Sequence, residues 1–272
     1  MNRISIVFFL FTLILHAQEQ EHIYSEYFKF VPGDTEIMFA DNVKLRSEPG
    51  LESEVLELIP IGAAIKILKV SDASLNFDGI VSPWYKVDYK GKVGFVLGGL
   101  VSFGHLKFGS ALLLFQLKKN GGRNPVLKVR EIIEGEPYIS YEFELIGDQY
   151  SIQFLSNKGL KGVDKIVAVN YEADACMVEG GVTYLSWSVK GLQKMADLSE
   201  LSDAGIFYFS ESFEFMEDNP NIKEGVLYTQ KLITVENDEE LWERTSITTR
   251  FFKWDGQQFV GFENFRKHIS ED

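Results

Sequence analysis

A nucleophilic cysteine needs a base to take its proton, and this chain offers a single Cys. Cys176 stands in Glu172-Ala173-Asp174-Ala175-Cys176-Met177-Val178, where acidic neighbours raise a thiol's pKa and disfavour the thiolate. The four histidines, His16, His22, His105 and His268, are too scattered for an H-E-x-x-H zinc site, and no G-x-S-x-G elbow occurs. One cysteine also excludes a multi-cysteine zinc site and any internal disulfide framework. Carboxylates are plentiful. Glu142 and Glu144 share one face of an alternating run, and Glu211 stands two residues before Phe213. Two acids across one cleft would suit glycoside hydrolysis, but acids pointing from a strand into water explain these positions more simply. Glu217-Asp218-Asn219-Pro220-Asn221 places oxygen ligands at alternate positions, without the central Gly and terminal Glu of a calcium loop. Gly121-Gly122 and Gly180-Gly181 fit hairpin turns rather than a phosphate cradle. The expectation is a non-enzymatic protein with no catalytic residues, no metal and no cofactor.

Those residues must be carried by 272 positions, of which 45% are hydrophobic and 14% aromatic, an ordinary globular composition. Asp and Glu number 40 against 27 Lys and Arg, for a net charge of −13. An acidic chain gains nothing from counterion release, so a nucleic-acid partner is not expected. Met1-Asn2-Arg3 precedes an apolar run, Ile4 to Leu15, that is too short to span a bilayer as a helix. This is the pattern of a secretory signal peptide, residues 1–17, ending at Ala17. The sequence therefore predicts export to the periplasm or the extracellular medium, with no membrane-spanning segment left after its removal.

From Glu36 to Ser102, short β-like runs are separated by turn residues. Val43-Lys44-Leu45 leads into Arg46-Ser47-Glu48-Pro49-Gly50, and Val55 to Ile59 leads into Pro60-Ile61-Gly62. Ala64 to Val70 follows, then Trp84 to Tyr89, then Lys90-Gly91-Lys92 and Val93-Gly94-Phe95-Val96, a hairpin with Gly at its turn. Five or six strands in so few residues argue for a small barrel.

The order of Leu45-Arg46-Ser47, Pro49, Gly62, Ile65 to Leu68, Trp84-Tyr85-Lys86-Val87 and Gly91-Lys92-Val93-Gly94-Phe95-Val96 resembles the bacterial SH3-like domain family. The resemblance covers about a quarter of the chain. Phe95 stands where that family usually has Trp, and Ser71 to Pro83 reads as a longer loop than usual. Such modules often accompany cell-wall hydrolases and bind wall peptides. The functional reading of Trp84, Tyr85, Tyr89 and Phe95 is a shallow aromatic groove for a peptide or glycan, with Asp88 and Glu48 at its rim. Large aromatics are also the default filling of a core, so Trp84 and its neighbours have a second reading as barrel interior.

Residues 104–270 read as a larger antiparallel β domain, a sandwich or a propeller-like meander, making the fold all-β. Gly191 to Leu201, with Leu192, Met195, Ala196, Leu198 and Leu201, looks like a short helix, and Asp238 to Trp242 like another. Tyr184 to Leu192 echoes Phe251 to Phe259: aromatic strand, Trp, a Gly turn, and a returning apolar residue. Residues 18–35 form a separate N-terminal segment, too aromatic for a free linker. The sequence thus predicts an exported bacterial binding protein whose partner is cell-wall peptide or glycan, or an envelope protein. A wall hydrolase targeted by the barrel is the alternative, followed by a purely structural envelope protein.

Overall fold

The computed structural model describes residues 23–121, 124–172, 176–203, 206–237 and 242–269. The expected signal peptide lies outside the described residues. Among those described, eighteen strands form three sheets, and one α-helix closes the chain.

The first sheet contains β1 (Thr35–Met38), β2 (Val43–Arg46), β3 (Val55–Ile59), β4 (Ala64–Phe77), β5 (Ile80–Tyr89), β6 (Lys92–Leu97) and β7 (Val101–Ser102). It curls into a half-closed barrel in the order β3-β2-β6-β5-β4-β1-β7. Alternation decides which side chains fill it. Along β5, Tyr85, Val87 and Tyr89 point inward with Leu45, Ile65 and Ile67, while Lys86 between them is exposed. Lys90 and Gly91 turn the chain from β5 to β6, both with positive φ (53° and 84°), as the right-handed twist of a hairpin favours.

Ser71 to Pro83, expected as a long loop, is instead the far end of the β4–β5 hairpin. Its strands continue to Phe77 and restart at Ile80 around an Asp78-Gly79 turn. The missing alternation has a local cause: the register shifts between Val70 and Ser74, which scrambles the two-residue period.

The second sheet is four-stranded, from β8 (Gly104–Phe108), β9 (Ala111–Lys118), β10 (Val126–Ile133) and β11 (Ile139–Glu144). The hairpin tip docks on it: Lys119 N–H donates to the Asp78 carbonyl at 2.8 Å, and Lys128 pairs with the Asp78 carboxylate. The third sheet is a seven-stranded meander in sequence order, β12 (Tyr150–Leu155), β13 (Lys165–Tyr171), β14 (Gly180–Ser188), β15 (Gly191–Asp203), β16 (Phe207–Phe215), β17 (Gly225–Asn237) and β18 (Trp242–Lys253). One face of this sheet, through Val167, Val169, Leu185 and Trp187, shares a single core with the barrel and the second sheet. The opposite face, through Ile166, Leu198, Phe215, Tyr228 and Phe252, packs under helix α1 (Phe262–Ile269).

The helix expected at Gly191 to Leu201 is strand β15. Tyr184 pairs with Ala196 while Leu185 pairs with Lys194, so Met195 is the extra residue of a β-bulge. That insertion flips the alternation midway and spaces the apolar residues as a helix would. The second expected helix falls mostly on residues 238–241, outside the described residues. The sequence echo resolves as two similar turns: Trp187 pairs with Leu192 across one, and Trp254 bridges Phe259 across the other. The first joins two strands of one continuous meander and the second follows its last strand, so they are not propeller blades.

The N-terminal segment straps these parts together. Tyr24 exchanges backbone bonds with Tyr150 on β12 (2.7 and 3.0 Å). Phe28 and Phe30 then stack edge-on against each other, and Phe30 against Tyr85 of the barrel.

Candidate functional site

The residues expected to form an aromatic groove are placed on different sides of β5. Tyr85 and Tyr89 lie inside the barrel, 1% and 7% exposed, and the Tyr85 hydroxyl accepts the Phe30 N–H at 3.1 Å. Trp84 is on the other face, yet only 5% exposed. Asp88 accepts the Gly91 N–H at 2.7 Å and so braces the β5–β6 turn. Glu48 is exposed, and its backbone carbonyl accepts the Ser53 hydroxyl at 2.8 Å. Glu48 and Asp88 therefore present polar groups near the surface, whereas Tyr85 and Tyr89 face the barrel interior and Phe95 stands on β6.

A cleft of about 270 Å³ opens instead on the outer face of the barrel. Strand register builds it. Lys69 on β4 stands opposite Lys86 on β5, Lys86 opposite Phe95 on β6, and Phe95 opposite Arg46 on β2. Directly paired residues share a face, so three cations and one ring form a row across four strands. Arg46 is 8% exposed and is held beneath the following loop by its bond to the Ser53 carbonyl at 2.7 Å. Lys69 and Lys86 are exposed and Phe95 half-buried, while Pro49 and Val70 wall the cleft and Ser71 and Asp72 close one end. A planar apolar patch beside two ammonium groups can hold a carboxylate-bearing ligand by charge and a hydrophobic portion by contact. Phe95 carried a signal in the sequence, as an aromatic replacing another aromatic. Lys69 and Lys86 carried none, because their adjacency depends on a register set by a bulge at Leu68.

Of the other candidates for chemistry, Glu211, Glu142 and Asp218 are occupied by structural bonds. Glu211 accepts the Tyr228 hydroxyl at 2.7 Å, the Ser199 N–H at 2.9 Å and an Arg266 Nη at 2.8 Å. Burial, then the bond to Glu211, push the Tyr228 hydroxyl's pKa up. Glu142 pairs with Lys118, and Glu144 is an exposed strand-face acid. Asp218 pairs with Lys158 at 2.8 Å, and the Asn219 side chain accepts the Asn221 N–H, both as parts of a turn. Cys176 is exposed, and His105 is exposed on β8. Among the described residues no group of three or more His, Cys, Asp or Glu could hold a metal ion.

One carboxyl does titrate unusually. Glu36 on β1 is half-buried, and burial, reinforced by Asp34, raises its pKa from the ordinary carboxylate range to about 7. Its charge reaches the barrel's Tyr85 and the strap's Tyr24, whose own values rise chiefly through burial.

Among the described residues no helix is long and apolar enough to cross a membrane. No curated protein and no solved structure matched the chain. Residues 41–102 do match the family model of the bacterial SH3 domain, which spans β2 to β7 and the whole of the Lys69–Lys86–Phe95 cleft, so this segment is a bacterial SH3 domain set within a larger, nearly all-β protein.

Proposed function

We propose that this is an exported envelope protein that binds rather than catalyses, and that its SH3 domain holds carboxylate-bearing cell-wall peptide in the Lys69–Lys86–Phe95 cleft. The observation that carries the reading is that one register row of a recognised binding module presents two exposed lysines around a half-buried ring. The rest of the chain is strongly acidic, which makes this positive cleft the locally attractive surface for an anionic group. The structural roles of Glu211, Glu142 and Asp218 support a binding role over hydrolysis, and the Ile4 to Leu15 run supports export. An envelope protein with an acidic peptide segment would satisfy the same chemistry.

Co-sedimentation with purified cell-wall sacculi across a salt series tests the reading, with soluble fragments assayed in the same tubes. Retention by the sacculi that falls about tenfold in Lys86→Glu and in Phe95→Ala supports it. Retention indifferent to both substitutions, or none at all, removes wall peptide as the ligand. Release of soluble wall fragments would overturn the non-catalytic part.

A further inference from the structure

A second cavity, of about 400 Å³, lies at one end of the meander. Three connections meet there: residues 156–164 between β12 and β13, 216–224 between β16 and β17, and 254–256 after β18. Both N–H groups of Trp254 are spent on holding them together. Its backbone N–H donates to the Glu224 carbonyl and its indole N–H to the Lys161 carbonyl, each at 2.9 Å. Lys158 pairs with Asp218 at 2.8 Å, and a Cβ on Gly159 would sit 2.9 Å from the Met216 methyl carbon, so the first two connections touch directly. The cavity is therefore braced before any ligand enters, which lowers the ordering cost of binding.

Leu160 and Trp254, both buried, and the half-buried Met216 supply an apolar wall. Around them stand Lys161, Lys223, Lys253, Glu224 and Asp255, all exposed. Both carboxylates are already engaged. Glu224 pairs with Lys253 at 2.6 Å, and Asp255 accepts the N–H groups of Gln258 and Gln257 at 2.9 and 2.8 Å. Those bonds hold both acids below the usual carboxylate pKa, and the charge of Lys161 adds to the effect on Glu224. Among the described residues, Lys161 and Lys223 pair with no carboxylate, and Lys223 donates to the Pro220 carbonyl at 3.0 Å. In a chain of net charge −13, this rim is left with two uncompensated cations beside an apolar wall.

We propose that this cavity binds an acidic sugar, a ring carrying a carboxylate, as a segment of a glycan. The carboxylate meets Lys161 and Lys223, the CH face of the ring lies against Met216 and Trp254, and ring hydroxyls donate to the free lone pairs of Glu224 and Asp255. A neutral sugar would leave the two ammonium groups unpaired, and an apolar anion would set its tail against the two carboxylates. The site shares no residue with the SH3 cleft, so either can fail without the other.

Calorimetric titration of the full chain tests it, in a Lys86→Glu background so that the SH3 cleft does not compete for carboxylates. The probes are digalacturonic acid, cellobiose and octanoate. The acidic disaccharide should bind with a Kd below about 1 mM, and the other two at least about tenfold more weakly. Lys161→Glu combined with Lys223→Glu should weaken digalacturonic acid at least about tenfold, whereas Lys161→Arg with Lys223→Arg should retain it. Both lysines are exposed, so the thermal melts of these variants should coincide with that of the parent. No binding of digalacturonic acid overturns the proposal. Binding indifferent to the charge reversal, or equal binding of cellobiose or octanoate, overturns it too.

Discussion

The Trp187 indole N–H donates to the Glu131 carboxylate at 2.8 Å, joining the seven-stranded meander to the four-stranded sheet. The other oxygen of Glu131 accepts the Tyr141 hydroxyl at 2.7 Å, and burial followed by this bond raises the Tyr141 pKa to about 12. Glu131 is only 3% exposed, so two polar donors from separate strands depend on one buried acceptor. Glu131→Ala should cost about 2–6 kcal/mol, since each of the two donors left unsatisfied costs about 1–3 kcal/mol. Urea denaturation of Glu131→Ala, Trp187→Phe and the double variant measures it. Strongly non-additive losses are expected, because both substitutions break the same contact.

The barrel and its cleft should separate under mutation. Trp84→Ala should lower stability by about 3–5 kcal/mol, as for other large buried aromatics. Tyr85→Phe should cost about 1–3 kcal/mol by stranding the Phe30 N–H. Lys86→Glu, an exposed change, should leave stability within about 0.5 kcal/mol while abolishing most ligand retention. Thermal melts run beside the sedimentation assay distinguish the two behaviours.

Glu36 should make stability fall with rising pH. Its folded pKa of about 7 lies above the ordinary carboxylate value, so between those two values the folded state holds the proton more tightly than the unfolded one. The contribution is complete at acidic pH, below the unfolded pKa, and is lost as pH rises through 7. Glu36→Gln should therefore stabilise the protein at pH 8 relative to its effect at pH 4, by about 1–2 kcal/mol once solvent screening of the partly exposed carboxyl is allowed for. Chemical denaturation at the two pH values checks the sign. An effect equal at both would show that Glu36 titrates normally.

Gly79 should tolerate no side chain. Its φ is +80°, and an added Cβ would sit 2.0 Å from the Lys119 carbonyl, where the hairpin tip meets the second sheet. Gly79→Ala should cost about 2–4 kcal/mol through strain and lost docking. Asp78→Ala, which loses a partly exposed ion pair with Lys128 and puts Ala at a φ of 52°, should cost about 1–2 kcal/mol. Melting temperatures of the two variants give the comparison.

The sequence carried most of the barrel because its strands are short, alternate cleanly and are punctuated by residues such as Gly91 whose turn chemistry is local. It misled at β15 because a single bulged residue, Met195, converts a two-residue period into an apparent helical one. The groove expectation conflicted with a constraint already present in the sequence. Trp84 and Tyr85 are adjacent in one strand and must point to opposite faces. The cleft could not be read in the same way, since Lys69, Lys86 and Phe95 meet only through pairing register. The shared core was equally hidden, for nothing local to Val167 or Leu127 says that they belong to one interior.

The strap formed by Tyr24, Phe28 and Phe30 has a consequence for the order of assembly. Tyr24 closes onto Tyr150, 126 positions further along, and that partner is itself set in a sheet that continues to β18. The strap can therefore find its final place only once Tyr150 and its strand are in place. Contacts of such long separation form slowly, because the loop between them must be closed before they contribute anything. The strap thus acts as a latch, engaging once the barrel and the first strands of the meander have come together.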